Sequence, residues 1–389
     1  MIDYDSLPRR EPHLLIEEAL QRPIGGKPLH EWAASRRNAV ILISDGTRLC
    51  PSDLFLPALL DALNEGGLSD SHIRIVVALG MHRRHTEAEL KRLVGEAVYA
   101  RVSVENHSTA PEHCIHVGTT SYGTPVQINR SVVEADLRIA TGNIEPHRLA
   151  GTSGGVKALV PGTASRLTIE TNHALSLQGK ATLGDNDNPV HRDMMEAMAF
   201  VPIHFLFNVI ANHRRELLDG FAGDLAAAHR QGADAAKQRF FLPVDRRYDI
   251  VVASAGGSPK DTQLYQVIKT IQNAAAFTKP GGSIVLLARC EELFGNGILQ
   301  YWLETKQDRA AMAAQLQQQF VLGAHKITHI EEVVSKHTVY LYSDMPEPIV
   351  ELVGFHPVRD LDETFRRLLA HQDIEVALMP HAALTFPAP

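Results

Sequence analysis

Three short apolar runs, each released at once into a polar loop, set the pattern of the first half of the chain. Ala39 to Ile43 reads AVILI and is followed by Ser44-Asp45-Gly46-Thr47-Arg48; Ile73 to Leu79 reads IRIVVAL and is followed by Gly80-Met81-His82-Arg83-Arg84-His85-Thr86. The third run, Leu137 to Thr141, opens onto TGNIEPHRLAGTSGGVKALVPGTAS, from Thr141 to Ser165. Continuous apolar runs of this length predict strands covered on both faces, as in a parallel sheet. After Pro51 the apolar positions Leu54, Leu56, Leu59, Leu60 and Leu63 follow a helical spacing that Gly66-Gly67 ends, and Thr86 stands where it would cap a helix reaching Val94. Strand, polar loop and helix in repetition predict a sheet whose carboxyl edge gathers Asp45, Arg48, His82 and His147 around one crevice.

Beyond Ser165 the spacing predicts a helix from Arg166 to Leu175 carrying His173, a helix around Met194, a strand from Phe205 to Ile210 and an alanine-rich helix from Gly223 to Gln238. A fresh α/β pattern begins at Tyr248: strand at Ile250 to Val252, loop through Gly256-Gly257, helix from Asp261 to Ala275, strand from Ser283 to Ala288. A helix from Arg309 to Phe320, a strand from Thr338 to Tyr342 and a helix from Leu361 to Ala370 continue it. The fold class expected is α/β, as two α/β domains over 1–243 and 244–375 with a tail over 376–389 and the active site in the cleft between the domains.

Composition narrows the partners. With 44% hydrophobic and 21% charged residues the chain is an ordinary globular one, and a net charge of −7 without a basic run argues against nucleic acid or an anionic membrane surface. The three cysteines are scattered, with no C-x-x-C, which suits a reducing cytoplasm. No membrane-length apolar run is present, so small molecules are the expected ligands.

The segment after the third strand carries the densest chemistry. Gly151, Gly154 and Gly155 let the backbone turn and bring N–H groups toward an anion, with Lys157 at the first turn of the next helical element, so a phosphate-bearing ligand is expected. It is not a nucleotide P-loop, because Ala158 stands where magnesium would need Ser or Thr, and G-x-G-x-x-G cannot be laid over these glycines. Of twenty histidines, His82, His147 and His173 sit at a loop or helix next to the inferred crevice, whereas His85, His191 and the His113-Cys114-His116 group are read as structural.

Taken together, SDGTRLC, ALGMHRRHT, GNIEPHRLAGTSGGVKALVPG and TNHA resemble the lactate racemase family of nickel-pincer nucleotide enzymes along nearly the whole chain. The resemblance implies a nickel-bearing pyridinium-3-thioamide-5-thiocarboxylic acid mononucleotide bound covalently to Lys157 and supported by Gly154, Gly155, Asp45 and Arg48. It implies His173 as the nickel ligand, His82 and His147 as alternating acid/base groups, and Arg48, Tyr265, Gln266 and Lys269 as substrate contacts. Cofactor-producing enzymes are then the maturation partners, and a 2-hydroxy acid is the substrate. The first motif departs from the family's usual form, with Ser44 and Cys50 where a second acidic residue and a proline often stand, which bears on the choice of acid.

The chemistry asks for such a group. The C–H beside the carboxylate of a 2-hydroxy acid is too weakly acidic for imidazole to remove; taking hydrogen as hydride while a base takes the hydroxyl proton gives a flat 2-keto acid, and no side chain accepts hydride. One imidazole with sulfur donors suits nickel. Two other readings stand beside this one: a zinc hydrolase built from His82, His147 and His173, and a non-catalytic binder of a hydroxy acid or nucleotide.

Overall fold

The computed structural model describes residues 10–179, 182–305, 308–370 and 373–389, which divide into two compact units meeting in sequence at Arg239 and Phe240. In the first unit a six-stranded sheet is built from β1 (Ala39–Ser44), β2 (Ile73–Ala78), β3 (Ser103–Asn106), β4 (Leu137–Asn143), β5 (Phe205–Ala211) and β6 (Leu217–Gly223). Its order is β6-β5-β4-β1-β2-β3, parallel throughout except for β6, which runs antiparallel to β5. The chain winds outward from β1 through β2 to β3, then returns to the other side of β1 to lay down β4 and β5. The order therefore reverses between β1 and β4, and in open α/β sheets that reversal leaves a crevice at the strands' carboxyl ends.

The core explains why these elements form. Ile41, Leu42 and Ile43 are fully buried on both faces of β1, as the unbroken run implied. Helix α1 (Ser52–Glu65) lays Phe55, Leu56, Leu59, Leu60 and Leu63 against the sheet, each fully buried and contributing about 1.5–3 kcal/mol by removal from water. Helix α2 (Glu87–Val94) begins at Thr86 with a complete capping box, the Thr86 hydroxyl accepting from the Glu89 N–H and the Glu89 carboxylate from the Thr86 N–H. Strand β6 and a hairpin of Cys114–Thr119 with Pro125–Asn129 were not expected. Asp219-Gly220 interrupts the first, and the second is only half-buried, so neither shows an apolar run.

The second unit holds a five-stranded parallel sheet: β7 (Tyr248–Ser254), β8 (Thr278–Leu287), β9 (Thr338–Tyr342), β10 (His356–Val358) and β11 (Val376–Met379), in the order β10-β9-β8-β7-β11. The expected tail over 376–389 is thus partly sheet: Val376–Met379 pairs with β7, and Phe386–Pro387 pairs with Phe241–Leu242. The run is only four residues long before Pro380 and leaves Leu378 exposed on the edge, too weak a pattern to read. The helix expected from Asp261 starts at Leu264 (Leu264–Ala276), because the Leu264 N–H is drawn to the Leu293 carbonyl and the Asp261 carbonyl to the Cys290 N–H.

Candidate active site

The crevice in the first unit is closely built. Gly142 near the end of β4 lies so near Ser44 at the end of β1 that a Cβ on it would stand 3.4 Å from the Ser44 Oγ and 3.5 Å from the Gly154 Cα. The Thr141 hydroxyl donates to the Leu42 carbonyl at 2.9 Å, stitching the two strands just below.

On the lip formed by β1 and β2, Asp45 is buried and surrounded by donors. Its Oδ1 accepts from the Thr47 N–H at 2.8 Å and the Thr47 hydroxyl at 2.5 Å; its Oδ2 accepts from the His82 Nδ1 at 3.1 Å and lies 3.7 Å from the Arg48 Nε. Burial alone would raise the carboxyl, but the opposing pull of His82, Arg48 and Thr47 holds it well below the usual carboxylate range, so Asp45 is an anion. An anion on Nδ1 fixes the His82 proton there and leaves the lone pair on Nε2. His85 locks the turn by accepting the Gly46 N–H on Nε2 at 3.0 Å, and Arg83 clamps Glu89 with two bonds of 3.0 and 2.7 Å.

On the lip formed by β4, the glycine loop is pressed against buried polar side chains. Gly154 and Gly155 have φ of 75° and 56°, and a Cβ would meet the Asn208 Oδ1 at 2.5 Å from the first and the His229 ring at 2.7 Å from the second, so only glycine fits either place. The Gly155 N–H, expected to face an anion, instead donates to the Asn208 Oδ1 at 2.7 Å. Lys157 stands in a single 3-10 turn, Gly155–Ala158, rather than in a longer helix. It is mostly buried, and among the described residues its amine has neither ion pair nor hydrogen bond. Burial, aided by the nearby Arg48 charge, pushes it down to about 7. His147, on the same lip, accepts the Leu149 and Ala150 N–H groups on Nδ1 at 3.2 Å each, so its neutral form carries the proton on Nε2.

His173 is buried on the helix Arg166–Ala174, begun by the Ser165 hydroxyl accepting from the Thr168 N–H. Its Nδ1 lies 3.1 Å from the Asn172 Oδ1. The Asn172 amide donates to the Asp193 carboxylate at 2.7 Å and the Val190 carbonyl at 3.0 Å, which identifies Oδ1 as the acceptor and makes His173 Nδ1 the donor. Asp193 is fixed in turn by the Thr120 and Thr124 hydroxyls at 2.5 and 2.8 Å. A histidine whose Nδ1–H is held this way offers its Nε2 lone pair to a metal.

In the second unit Tyr265, Gln266 and Lys269 occupy the first turns of the helix Leu264–Ala276, with the Lys269 amine donating to the Gln266 Oε1 at 2.9 Å and the Lys326 amine 5.3 Å above the Tyr265 ring. The expected site side chains joined directly are therefore Asp45, Arg48 and His82 in the first unit and Gln266 with Lys269 in the second, with Lys157 within reach of the Arg48 field. Among the described residues no three His, Cys, Asp or Glu side chains form a metal-holding group, so His82, His147 and His173 do not assemble as a zinc site and the His113-Cys114-His116 group does not either. Sequence reasoning missed Asn208, His229, Asn172 and Thr47. Thr47 and Asn172 each adjoin a residue already singled out, whereas Asn208 sits inside an apolar strand run, where a lone polar residue was the available signal.

Both units find counterparts among known proteins. The lactate racemase N-terminal domain matches residues 3–184, and the lactate racemase C-terminal domain matches residues 244–383. The chain belongs to the lactate racemase family. The lactate racemase of Lactiplantibacillus plantarum is 32% identical over 382 residues, covering 94% of this chain and 88% of that one, and that of Thermoanaerobacterium thermosaccharolyticum is 31% identical over 378 residues with the same coverage. The lactate racemase apoprotein structure from T. thermosaccharolyticum superposes with a TM-score of 0.87 at 29% identity, over 98% of this chain and 94% of that one. A Thermotoga maritima protein shares the fold alone, with a TM-score of 0.78 at 18% identity. As a member of the lactate racemase family the chain is an enzyme of the isomerase class, a racemase.

Proposed function

We propose that this racemase inverts the 2-carbon of a 2-hydroxy acid, lactate or a related acid, with a nickel-pincer nucleotide tethered to Lys157. The observation that carries the reading is the Lys157 amine: buried, without a carboxylate partner among the described residues, and beside a glycine loop that only glycine can form. An amine kept near neutrality is suited to forming an amide-type bond, and Arg48, whose one ion pair among the described residues is the long contact to Asp45, has donors to spare for a phosphate or carboxylate. His173, with Nδ1–H anchored on Asn172, fits the single imidazole that a planar nickel site with sulfur donors takes. When bound, the nucleotide supplies the hydride-accepting chemistry that no side chain has.

The chain's own residues handle the proton and the orientation. His82, with Asp45 behind Nδ1, takes the hydroxyl proton of one enantiomer on Nε2; His147, with two backbone N–H groups on Nδ1, returns a proton from Nε2 for the other. Tyr265, Gln266 and Lys269 hold the substrate, Lys269 or Arg48 taking its carboxylate. The reading brings with it cofactor-producing enzymes as maturation partners and a cytoplasmic setting, which the free thiols of Cys50, Cys114 and Cys290 suit. No described helix is long and apolar enough to cross a membrane.

Peptide mass spectrometry of protein made alongside the cofactor-producing enzymes tests it: the added mass falls on Lys157, and the loaded protein racemises at least one member of a panel of enantiopure 2-hydroxy acids. An adduct elsewhere, or turnover surviving Lys157→Ala, overturns it.

A further inference from the structure

Two buried histidines that the mechanism does not use sit beside Lys157. His229, 3% exposed, is wedged under Gly155 and places Nε2 2.9 Å from the Ser153 carbonyl and 3.3 Å from the Thr152 hydroxyl. His191, 7% exposed, stacks on it with ring centroids 5.9 Å apart and planes at 9°, and the His191 Nδ1 has no hydrogen-bond partner. Among the described residues neither ring faces a carboxylate that would charge it. Burial, the neighbouring ring and the Lys157 charge hold His191 at about 4, and burial chiefly lowers His229 as well, so both are neutral at pH 7. The charge acting on Lys157 among the described residues is Arg48, a cation, while Asp45, on the lip of β1 and β2, is already engaged by His82, Thr47 and Arg48.

We propose that the His191–His229 stack and Arg48 make the unloaded chain present Lys157 as an uncharged nucleophile, so that it takes up an activated acyl or thioacyl group by its own reactivity. The proposal rests on the tether reading above and extends it to how the tether forms. The amine lone pair attacks the carbonyl or thiocarbonyl carbon, a C–N bond forms, the bond to the leaving group breaks with its electron pair, and the surplus N–H proton passes to solvent. With a thiocarboxylate donor the sulfur stays on carbon and the oxygen leaves as water, which gives the thioamide; with acetic anhydride the leaving group is acetate.

Acetic anhydride at trace concentration on the unloaded, full-length protein is the probe, with peptide mass spectrometry giving the acetylation rate of each lysine between pH 5.5 and 10. Lys157 acetylation rises and levels near pH 7, where its free-amine fraction exceeds that of a surface lysine about a thousandfold, while surface lysines keep rising toward pH 10. His191→Phe, which keeps a ring against His229 but removes the nitrogens, and Arg48→Gln test the cause. Arg48→Gln moves the inflection upward, and His191→Asp, which puts an anion beside the amine, moves it further and slows acetylation at pH 7 by tenfold or more; His191→Phe leaves it near 7. A wild-type Lys157 that titrates with the surface lysines overturns the proposal outright, without any variant. Normal tethering with an ordinary titration also overturns it while leaving the tether reading intact, and a reactive Lys157 that never acquires the nucleotide does the reverse.

Discussion

At the carboxyl ends of β1 and β2, Asp45 is an anion matched by His82, Arg48 and Thr47, whereas at the end of β4 the Lys157 amine has no matching carboxylate among the described residues and two neutral histidines for neighbours. Both lips lie on one crevice of one sheet and both bury a titratable group, but they treat it in opposite ways. Where the buried charge is compensated, it is kept and used to orient an imidazole; where it is not, desolvation removes it and leaves a lone pair. A compensated site can pass protons repeatedly, and an uncompensated amine is suited to one bond-forming event.

Removing the proposed nickel ligand gives the largest expected effect. His173→Ala loses bound nickel and with it turnover, measured by metal analysis beside activity, whereas His82→Ala and His147→Ala retain nickel and lose kcat by about two to four orders of magnitude. Equal loss of metal in all three variants contradicts the separate roles. Next in size is Asp45→Asn, which keeps the shape of the first lip but removes the anion: kcat/KM falls about a hundredfold with nickel retained, because the His82 tautomer is no longer enforced. Lys269→Ala is smaller, about tenfold in KM or kcat, and unchanged kinetics would return Lys269 to a structural role beside Gln266.

The smallest effect separates the lips through stability. Asp45 has a folded pKa below its ordinary value, so its contribution is present above about pH 4 and is lost as pH falls below that. His191, and likewise His107 on the Ala164 carbonyl, are lowered to about 4 by burial, so their contribution is present above pH 6.5 and is lost as pH falls from there toward 4. Each changes stability by up to about 1.4 kcal/mol per pH unit in that window. Chemical denaturation at pH 7, 5.5 and 4.5 should show a decline that is shallower in His191→Phe; an identical slope contradicts the neutral-imidazole assignment.

Legibility in the sequence depended on how local each feature's cause is. The strands β1, β2 and β4 and the loops after them were readable because double-sided burial leaves an unbroken apolar run, and the capping box at Thr86 is local chemistry. Their convergence needed only the rule that parallel strands release their loops at one edge. The compensation of Asp45 by His82, 37 residues on, and the Gly155 N–H held by Asn208, 53 residues on, are long-range pairings that no local pattern announces. For the same reason the anion-facing N–H expected at Gly155 proved to be taken, and His191 and His229, neither of them singled out for chemistry, proved to be the neighbours of Lys157. Val376–Met379 escaped because a four-residue edge strand carries too little apolar signal to distinguish it from a tail.

In the proposed reaction the substrate's 2-hydrogen leaves and returns without joining the proton pool, while His82 and His147 move only the hydroxyl proton. Racemisation of an enantiopure 2-hydroxy acid by the loaded enzyme in deuterated water tests it directly, with mass spectrometry of the 2-carbon. The expected product carries little deuterium at that carbon, and label is retained when the substrate starts deuterated there. Full incorporation of solvent deuterium would contradict it and leave His82 and His147 as a two-base pair acting on carbon.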